Sequence, residues 1–253
     1  MTSHLTILTG ASRGLGLAMA QQLLDAGHQL LCISRHANTT LAAHAQASSA
    51  LTQWTHDLTD SVPLAARLAG WLAALEPAQL RSATLINNAG VIAPIAPLQG
   101  FAPDEMPALA QALRVDLEAP MLLSAAFLRA TAGWSVPRRV LNISSGLGRR
   151  AMASQAGYCA AKAGMDHFTR CLALEQQSVP NGARVCSLAP GVIDTEMQVT
   201  LRSADSARFA DAVNFAALKS RGMLASAEQA ARAVLAYLER PDFGEQPVAD
   251  VRG

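Results

Sequence analysis

Short apolar runs alternate with longer stretches of helical periodicity along most of the chain. Residues 4–9, with Leu5-Thr-Ile-Leu at their centre, are too brief for a helix and too continuous for a half-exposed strand. They read as a strand covered on both faces. A glycine turn follows, then a helix over 16–26 with Gly27 at its C-terminal end, then a second buried strand over 28–34. Strand, glycine turn, helix and strand within about thirty residues make a βαβ unit of the dinucleotide-binding kind. Residues 39–49 are Ala- and Ser-rich and read as a short helix or loose connection. Leu51 to Thr55 is a weak third strand, 61–75 a helix, and 83–87 a fourth strand. One long helix is expected over 104–131, with a kink at Pro120. A fifth strand over 139–144, a helix over 153–178 and a sixth strand over 183–189 follow. A last helix opens at Ser226 with capping-box spacing to Gln229, and 246–251 offers a seventh strand. Strands alternating with helices predict an α/β fold with a parallel sheet covered on both faces. Neither repeat nor linker interrupts the pattern, so residues 1–253 read as a single domain.

Composition narrows the function classes. With 51% hydrophobic and 15% charged residues the chain is globular, and at 253 residues it is long enough for a sizeable core. A formal charge of +1 argues against nucleic acid or an anionic membrane as partner. No run approaches the ~18 apolar residues of a membrane span, and the start lacks the pattern of a signal peptide. A cytoplasmic protein is expected. Cys32, Cys159, Cys171 and Cys186 are dispersed, without a Cys-x-x-Cys pair or His at ligand spacing, which predicts buried free thiols and no metal site.

Candidate chemistry centres on Asn142-Ile-Ser-Ser145 and Tyr158-Cys-Ala-Ala-Lys162. A four-residue step on a helix places Tyr158 and Lys162 on one face, about one turn apart. An ammonium beside a phenol favours the phenolate, so the hydroxyl can exchange protons nearer neutral pH. Ser145 at the end of the fifth strand is placed to hold a carbonyl oxygen while Tyr158 protonates it. Taken alone, the same residues also read as a Ser-rich turn before a helix with a surface Tyr and Lys. In the first βα turn, Gly10, Gly14 and Gly16 allow a tight turn and close backbone approach, so that a pyrophosphate can sit on a helix N-terminus. The second strand ends in Ser34-Arg35 with no acid, and Arg13 adds a second cation at that edge. An acid there would bind a ribose 2′-hydroxyl, whereas guanidinium groups suit a 2′-phosphate, so NADP(H) is the expected cofactor.

Thr9-Gly-Ala-Ser-Arg-Gly-Leu-Gly16, Asn87-Asn-Ala-Gly90, Ser145, the Tyr158/Lys162 pair and Pro190-Gly191 occur in the order and spacing of the short-chain dehydrogenase/reductase family, which the chain resembles end to end. The resemblance implies a doubly wound Rossmann fold with a seven-stranded parallel sheet in the order 3-2-1-4-5-6-7. It implies that the turn residues Gly10, Ser12, Arg13, Gly14, Leu15 and Gly16 hold the cofactor phosphates. Asp57 and Leu58 would meet the adenine, and Asn88, Ala89 and Gly90 would line the cofactor groove. Pro190, Gly191 and Val192 would pass the nicotinamide, and Thr195 would contact its carboxamide. Tyr158 and Lys162 would also meet the cofactor, Lys162 at the nicotinamide ribose, and Ser145, Gly146 and Gly191 would face a small-molecule carbonyl substrate under a covering segment over about 195–225. The chain departs from the family at Asp116, where relatives carry an Asn that holds a water linked to the active-site lysine. The C-terminal third resembles the sepiapterin reductase and bacterial benzil-type members, through Asp194-Thr-Glu-Met-Gln198, Leu218-Lys-Ser-Arg-Gly222 and the ending Asp242 to Asp250. Asp250 stands where a carboxylate anchors a pterin. The expected activity is NADPH-dependent reduction of a ketone or diketone. The rivals are a 3-oxoacyl or hydroxysteroid-type oxidoreductase and a non-catalytic NADP-sensing protein. Relatives pair through the helices over 104–131 and 153–178, which implies a homodimer, with a tetramer as the alternative.

Overall fold

Seven parallel strands form one sheet in the order β3-β2-β1-β4-β5-β6-β7, as the family resemblance implies. They are β1 (Ser3–Thr9), β2 (Gln29–Ser34), β3 (Leu51–Thr55), β4 (Leu80–Asn87), β5 (Arg138–Ile143), β6 (Arg184–Ala189) and β7 (Val248–Asp250). The computed structural model describes residues 3–45 and 50–253, so part of the 39–49 expectation, residues 46–49, lies outside the described residues. The helices are α1 (Gly14–Asp25), α2 (Thr39–His44), α3 (Ser61–Ala73), α4 (Met106–Leu113), α5 (Ala119–Ala130), α6 (Ala156–Gln177), α7 (Glu196–Arg202), α8 (Ala212–Ser220) and α9 (Ala227–Leu238).

The near-continuous apolar strands serve two cores at once. Leu5, Ile7, Leu31, Ile33, Leu85, Val140 and Val185 pack under α3, α5 and α6 with Leu64, Leu68, Leu123 and Phe127. Their neighbours Leu8, Leu30, Cys32, Ile86, Leu141, Cys186 and Leu188 pack on the other face with α1 and α9. Period-two alternation with apolar residues at both phases is what burial on both faces demands. Burying a side chain such as Phe127 contributes about 1.5–3 kcal/mol.

Two expected elements come out differently. The long helix over 104–131 is divided into α4 and α5 by a five-residue π segment, Arg114–Glu118, in which the Ala119 amide reaches back to the Arg114 carbonyl. Pro120 has no N–H to offer the carbonyl of Asp116, so the widened turn takes the place of a simple kink. The helix expected from 153 begins at Ala156, because Ser154 is left-handed (φ 63°) and Gln155 is non-helical. Gly27 does end α1 with φ +79°, and Ser226 and Gln229 form the expected capping box. All four cysteines are free. Burial pushes Cys32 and Cys186 up to about 12. Cys171, expected to be buried, is exposed on the outward face of α6, and Cys159 is half-buried. Among the described residues no helix is long and apolar enough to cross a membrane, and no group of three or more His, Cys, Asp or Glu could hold a metal ion.

Candidate active site

Every parallel strand points its C-terminal end the same way, so the loops that follow them converge on one cleft. Its volume is about 1890 Å³. Gly10, Ser12, Arg13, Gly14, Leu15 and Gly16 line it beneath α1, and Ser34, Arg35, Asp57 and Leu58 line its edge beyond β2 and β3. Asn88, Ala89 and Gly90 follow β4, and Ser145 and Gly146 follow β5. Tyr158 and Lys162 come from α6, Pro190, Gly191, Val192 and Thr195 follow β6, and Asp250 ends β7. Asp116 is not on the cleft wall. It is fully buried behind Gly90.

The glycine turn is shaped by what stands against it. Gly10 has φ +72°, and a Cβ built there would lie 2.8 Å from the Ala89 Cα. A Cβ at Gly16 would lie 2.1 Å from the Gly10 carbonyl oxygen and 2.5 Å from Asn88 Nδ2. Only bare backbone fits. The segment after β4 braces the turn: Asn88 Nδ2 donates to the carbonyls of Thr9 (3.0 Å) and Gly10 (3.3 Å), while the amides of Asn88 and Ala89 both donate to Thr9 Oγ1 at 3.0 Å. Deeper in the sheet, Asn87 Nδ2 donates to Asn142 Oδ1 at 2.8 Å, and Asn142 Nδ2 donates to Thr169 Oγ1 at 2.9 Å.

The end of β2 fits a 2′-phosphate. Ser34 Oγ is buried without a partner, and Arg35 is exposed and makes no ion pair among the described residues, although the charge of Asp57 is near enough to interact with it. Arg13 is not free, because its guanidinium pairs with Glu196 at the start of α7. Asp57 accepts from the Thr59 amide and hydroxyl, both at 2.9 Å, in a turn that holds its carboxyl below the usual range. Leu58 is 6% exposed and packs into the core while also touching the cleft.

Ser145, Tyr158 and Lys162 all line the cleft, the last two one turn apart on α6. Ser145 Oγ accepts from the Leu147 amide at 3.2 Å, which leaves its hydroxyl proton to be donated. Lys162 is buried, donates to the Ile143 carbonyl at 3.1 Å, and sits 5.6 Å from the centre of the Tyr158 ring. The Tyr158 hydroxyl faces Met197 Sδ of α7 at 3.9 Å. Burial pushes the phenol above its ordinary value, Lys162 and Ser145 oppose this, and the charge of Asp116 adds to the rise. The expected lowering by Lys162 is therefore present, but the cost of desolvating a phenolate in the cleft exceeds it.

The π segment aims Asp116 at Gly90. Asp116 Oδ1 accepts from the Val91 amide at 2.8 Å, and Oδ2 is buried without a partner. A Cβ at Gly90 would lie 3.5 Å from Asp116 Oδ1 and 3.6 Å from Lys162 Nζ, so both groups flank that glycine. Burial raises the Asp116 carboxyl, while Lys162 and the Val91 amide hold it down. Asp250 is already engaged: Arg252 donates to it through Nε (2.8 Å), Nη2 (2.7 Å) and its backbone amide (3.0 Å), and Arg149 lies 3.7 Å away. These partners hold its carboxyl below the usual range.

The segment over 195–225, expected to cover a substrate, holds two short helices, α7 and α8. It is tied down by the Arg208–Glu105 pair at 2.8 Å, by Asp194 with Arg202 and Lys219, and by Ser154 Oγ on the Arg208 carbonyl at 2.8 Å. Several residues escaped the sequence reading. Gln155 and Gln198 line the cleft, each about 97% buried with one amide atom unpartnered. Asp166 sits 1% exposed behind Ser145. A carboxylate one turn beyond Lys162, on the stripe that carries Met165, Thr169 and Leu172, was the signal available for it.

A family model described as short chain dehydrogenase matches residues 4–206. Benzil reductase ((S)-benzoin forming) of Bacillus cereus is 35% identical over 243 residues, covering 96% of this chain and 96% of that protein. Sepiapterin reductase of Xenopus tropicalis is 33% identical over 217 residues, covering 79% and 78%. A solved short-chain dehydrogenase/reductase from Burkholderia vietnamiensis superposes with a TM-score of 0.66 at 35% identity, covering 99% of this chain and 97% of that one.

Proposed function

Because the chain belongs to the short-chain dehydrogenase family, oxidoreductases acting on CH–OH or C=O groups, we propose that it reduces a ketone or diketone with NADPH. The observation that carries this reading is the meeting of Ser145, Tyr158 and buried Lys162 at one end of a cleft whose other end holds the glycine turn. Arg35, the unpartnered Ser34 hydroxyl and Arg13 would hold the 2′-phosphate, and the N-terminus of α1 the pyrophosphate. The cofactor, when bound, supplies a hydride to the carbonyl carbon.

Ser145 donates a hydrogen bond to the carbonyl oxygen, keeping its proton, and fixes the carbonyl's direction. Tyr158 delivers its proton to the same oxygen as charge develops there, giving the alcohol. A phenol held above its ordinary value is fully protonated at neutral pH, the form a reduction needs. Lys162 stabilises the phenolate left behind. It has donors to spare beyond the Ile143 carbonyl for a ribose hydroxyl. Asp116, buried beside Gly90, acts on the pair through its charge, which opposes the lowering of the phenol by Lys162. Residues 195–225 cover the substrate, with Met197 over the phenol. The helix pair α4/α5 with α6 would join two copies as a homodimer in the cytoplasm.

Between the two relatives' substrates, the engagement of Asp250 by Arg252 and Arg149 favours a diketone. A pterin's amino groups would have to displace those guanidinium groups, whereas an aromatic diketone needs no carboxylate anchor. The test is oxidation of NADPH and NADH against benzil, sepiapterin and an acetoacetyl thioester. Benzil turned over fastest, with NADPH preferred, supports the proposal. Fastest turnover of the thioester would move the chain to the 3-oxoacyl reading, and NADPH binding without turnover of any ketone would sink the reductase reading.

A further inference from the structure

We propose that Asp166 is a positioning residue that sets Ser145 against Tyr158, an inference that rests on the reductase reading above. Tyr158, Lys162 and Asp166 follow one another at four-residue steps along α6, so they share a stripe. Asp166 is 1% exposed, and its Oδ1 accepts from Ser144 Oγ and from Ser187 Oγ, both at 2.6 Å. That length is typical of a hydroxyl bound to an ionised carboxylate. Ser144 is the residue before Ser145, and Ser187 lies on the neighbouring strand β6. One carboxylate oxygen thus joins the helix bearing Tyr158 and Lys162 to the end of β5.

The other oxygen faces the segment that follows Ser145. Asp166 Oδ2 has no hydrogen-bond partner and lies 3.8 Å from Arg149 Nη1. A Cβ at Gly148 would come within 2.8 Å of that oxygen and 2.9 Å of the Lys162 carbonyl oxygen, so this turn rests directly on α6. Arg149 continues outward, donating to the Ala249 carbonyl at 3.2 Å and standing 3.7 Å from Asp250. The buried charge of Asp166 therefore grips the Ser145 segment from both ends, through Ser144 before it and Arg149 after it. A structural carboxylate elsewhere in the core would have no such link to the residue that orients the carbonyl.

The experiment is a cycle of Asp166→Asn, Ser145→Ala and the double variant, assayed for benzil reduction with NADPH and for NADPH Kd. Asn keeps an acceptor for the two hydroxyls but removes the charge and turns an amide toward Arg149. The expected result is a fall in kcat of roughly 10- to 100-fold, the scale of an ångström-sized misplacement, with NADPH Kd within about twofold. In the Ser145→Ala background the further loss should be under about threefold, because the residue being positioned is already gone. An undiminished kcat, or the same fold-loss in both backgrounds, would overturn the inference while leaving the reductase reading intact. A wild type that reduces no ketone would remove both. If Asp166→Asn does not fold, Arg149→Gln, at a side chain 33% exposed, carries the same cycle. A several-fold loss of kcat that disappears with Ser145→Ala supports the inference, and an unchanged kcat or a multiplicative loss overturns it.

Discussion

Cofactor selectivity offers the sharpest quantitative prediction, because the two arginines at the cofactor edge stand in different states. Arg35 makes no ion pair, whereas Arg13 is held by Glu196. A charge-assisted hydrogen bond to a phosphate contributes about 2 kcal/mol. The Arg13–Glu196 side chains are 64% and 72% exposed, and a pair so exposed is worth only about 0.5 kcal/mol. Giving up Glu196 for a 2′-phosphate therefore leaves a net of about 1.5 kcal/mol, or roughly tenfold in Kd. Arg35 has no ion pair to break and feels Asp57 only at a distance, so its contribution is about 2 kcal/mol, roughly 30-fold. Arg13→Ala should weaken NADPH about tenfold and Arg35→Ala about 30-fold, with NADH moved by less than about twofold in either. Glu196→Gln should tighten NADPH about twofold, an effect that disappears in the Arg13→Ala background and fades at high salt. Titration of the dinucleotides' own fluorescence gives all the constants. Loss of NADH and NADPH affinity in equal measure, or an unmoved NADPH/NADH ratio in both arginine variants, would refute the reasoning.

Two further outcomes follow from the buried polar groups. Asp116→Asn removes a negative charge that raises the Tyr158 phenol, so the alkaline limb of the kcat profile for ketone reduction should move to lower pH. An unmoved limb would show that the charge of Asp116 does not act on the phenol. Asn87→Ala leaves Asn142 Oδ1 without its 2.8 Å donor, which should cost about 1–3 kcal/mol. Thermal melting should register this as a fall of roughly 2–4 °C per kcal/mol, and an unchanged Tm would show that the β4–β5 amide pair contributes nothing.

How much of this was legible in the sequence varies by residue for physical reasons. The strands were readable because parallel strands buried on both faces leave unbroken apolar runs, and the glycine turn because no side chain fits within 2.1 Å of a carbonyl oxygen. Tyr158 and Lys162 were readable because the helical period carries their distance. The π segment was not, since Pro120 signals only that a ladder bond is missing and not how the backbone will make up for it. The Arg13–Glu196 pair joins residues 183 apart, and no local pattern encodes that meeting. Tyr158's net shift depends on how deeply the cleft desolvates it, a property of the folded surroundings. Asp166 lay between these cases: its position on a buried stripe was visible, but Ser144, Ser187 and Arg149 became its partners only through the packing of α6 on β5 and β6.

The central claim is that Tyr158 supplies the proton for carbonyl reduction. The direct measurement is single-turnover reduction of benzil by NADPH-loaded wild type and Tyr158→Phe, with NADPH Kd and Tm determined for both. The account predicts loss of at least about 100-fold in rate, the scale of a general acid, with both other quantities preserved. A Tyr158→Phe protein that reduces benzil at the wild-type rate would contradict it.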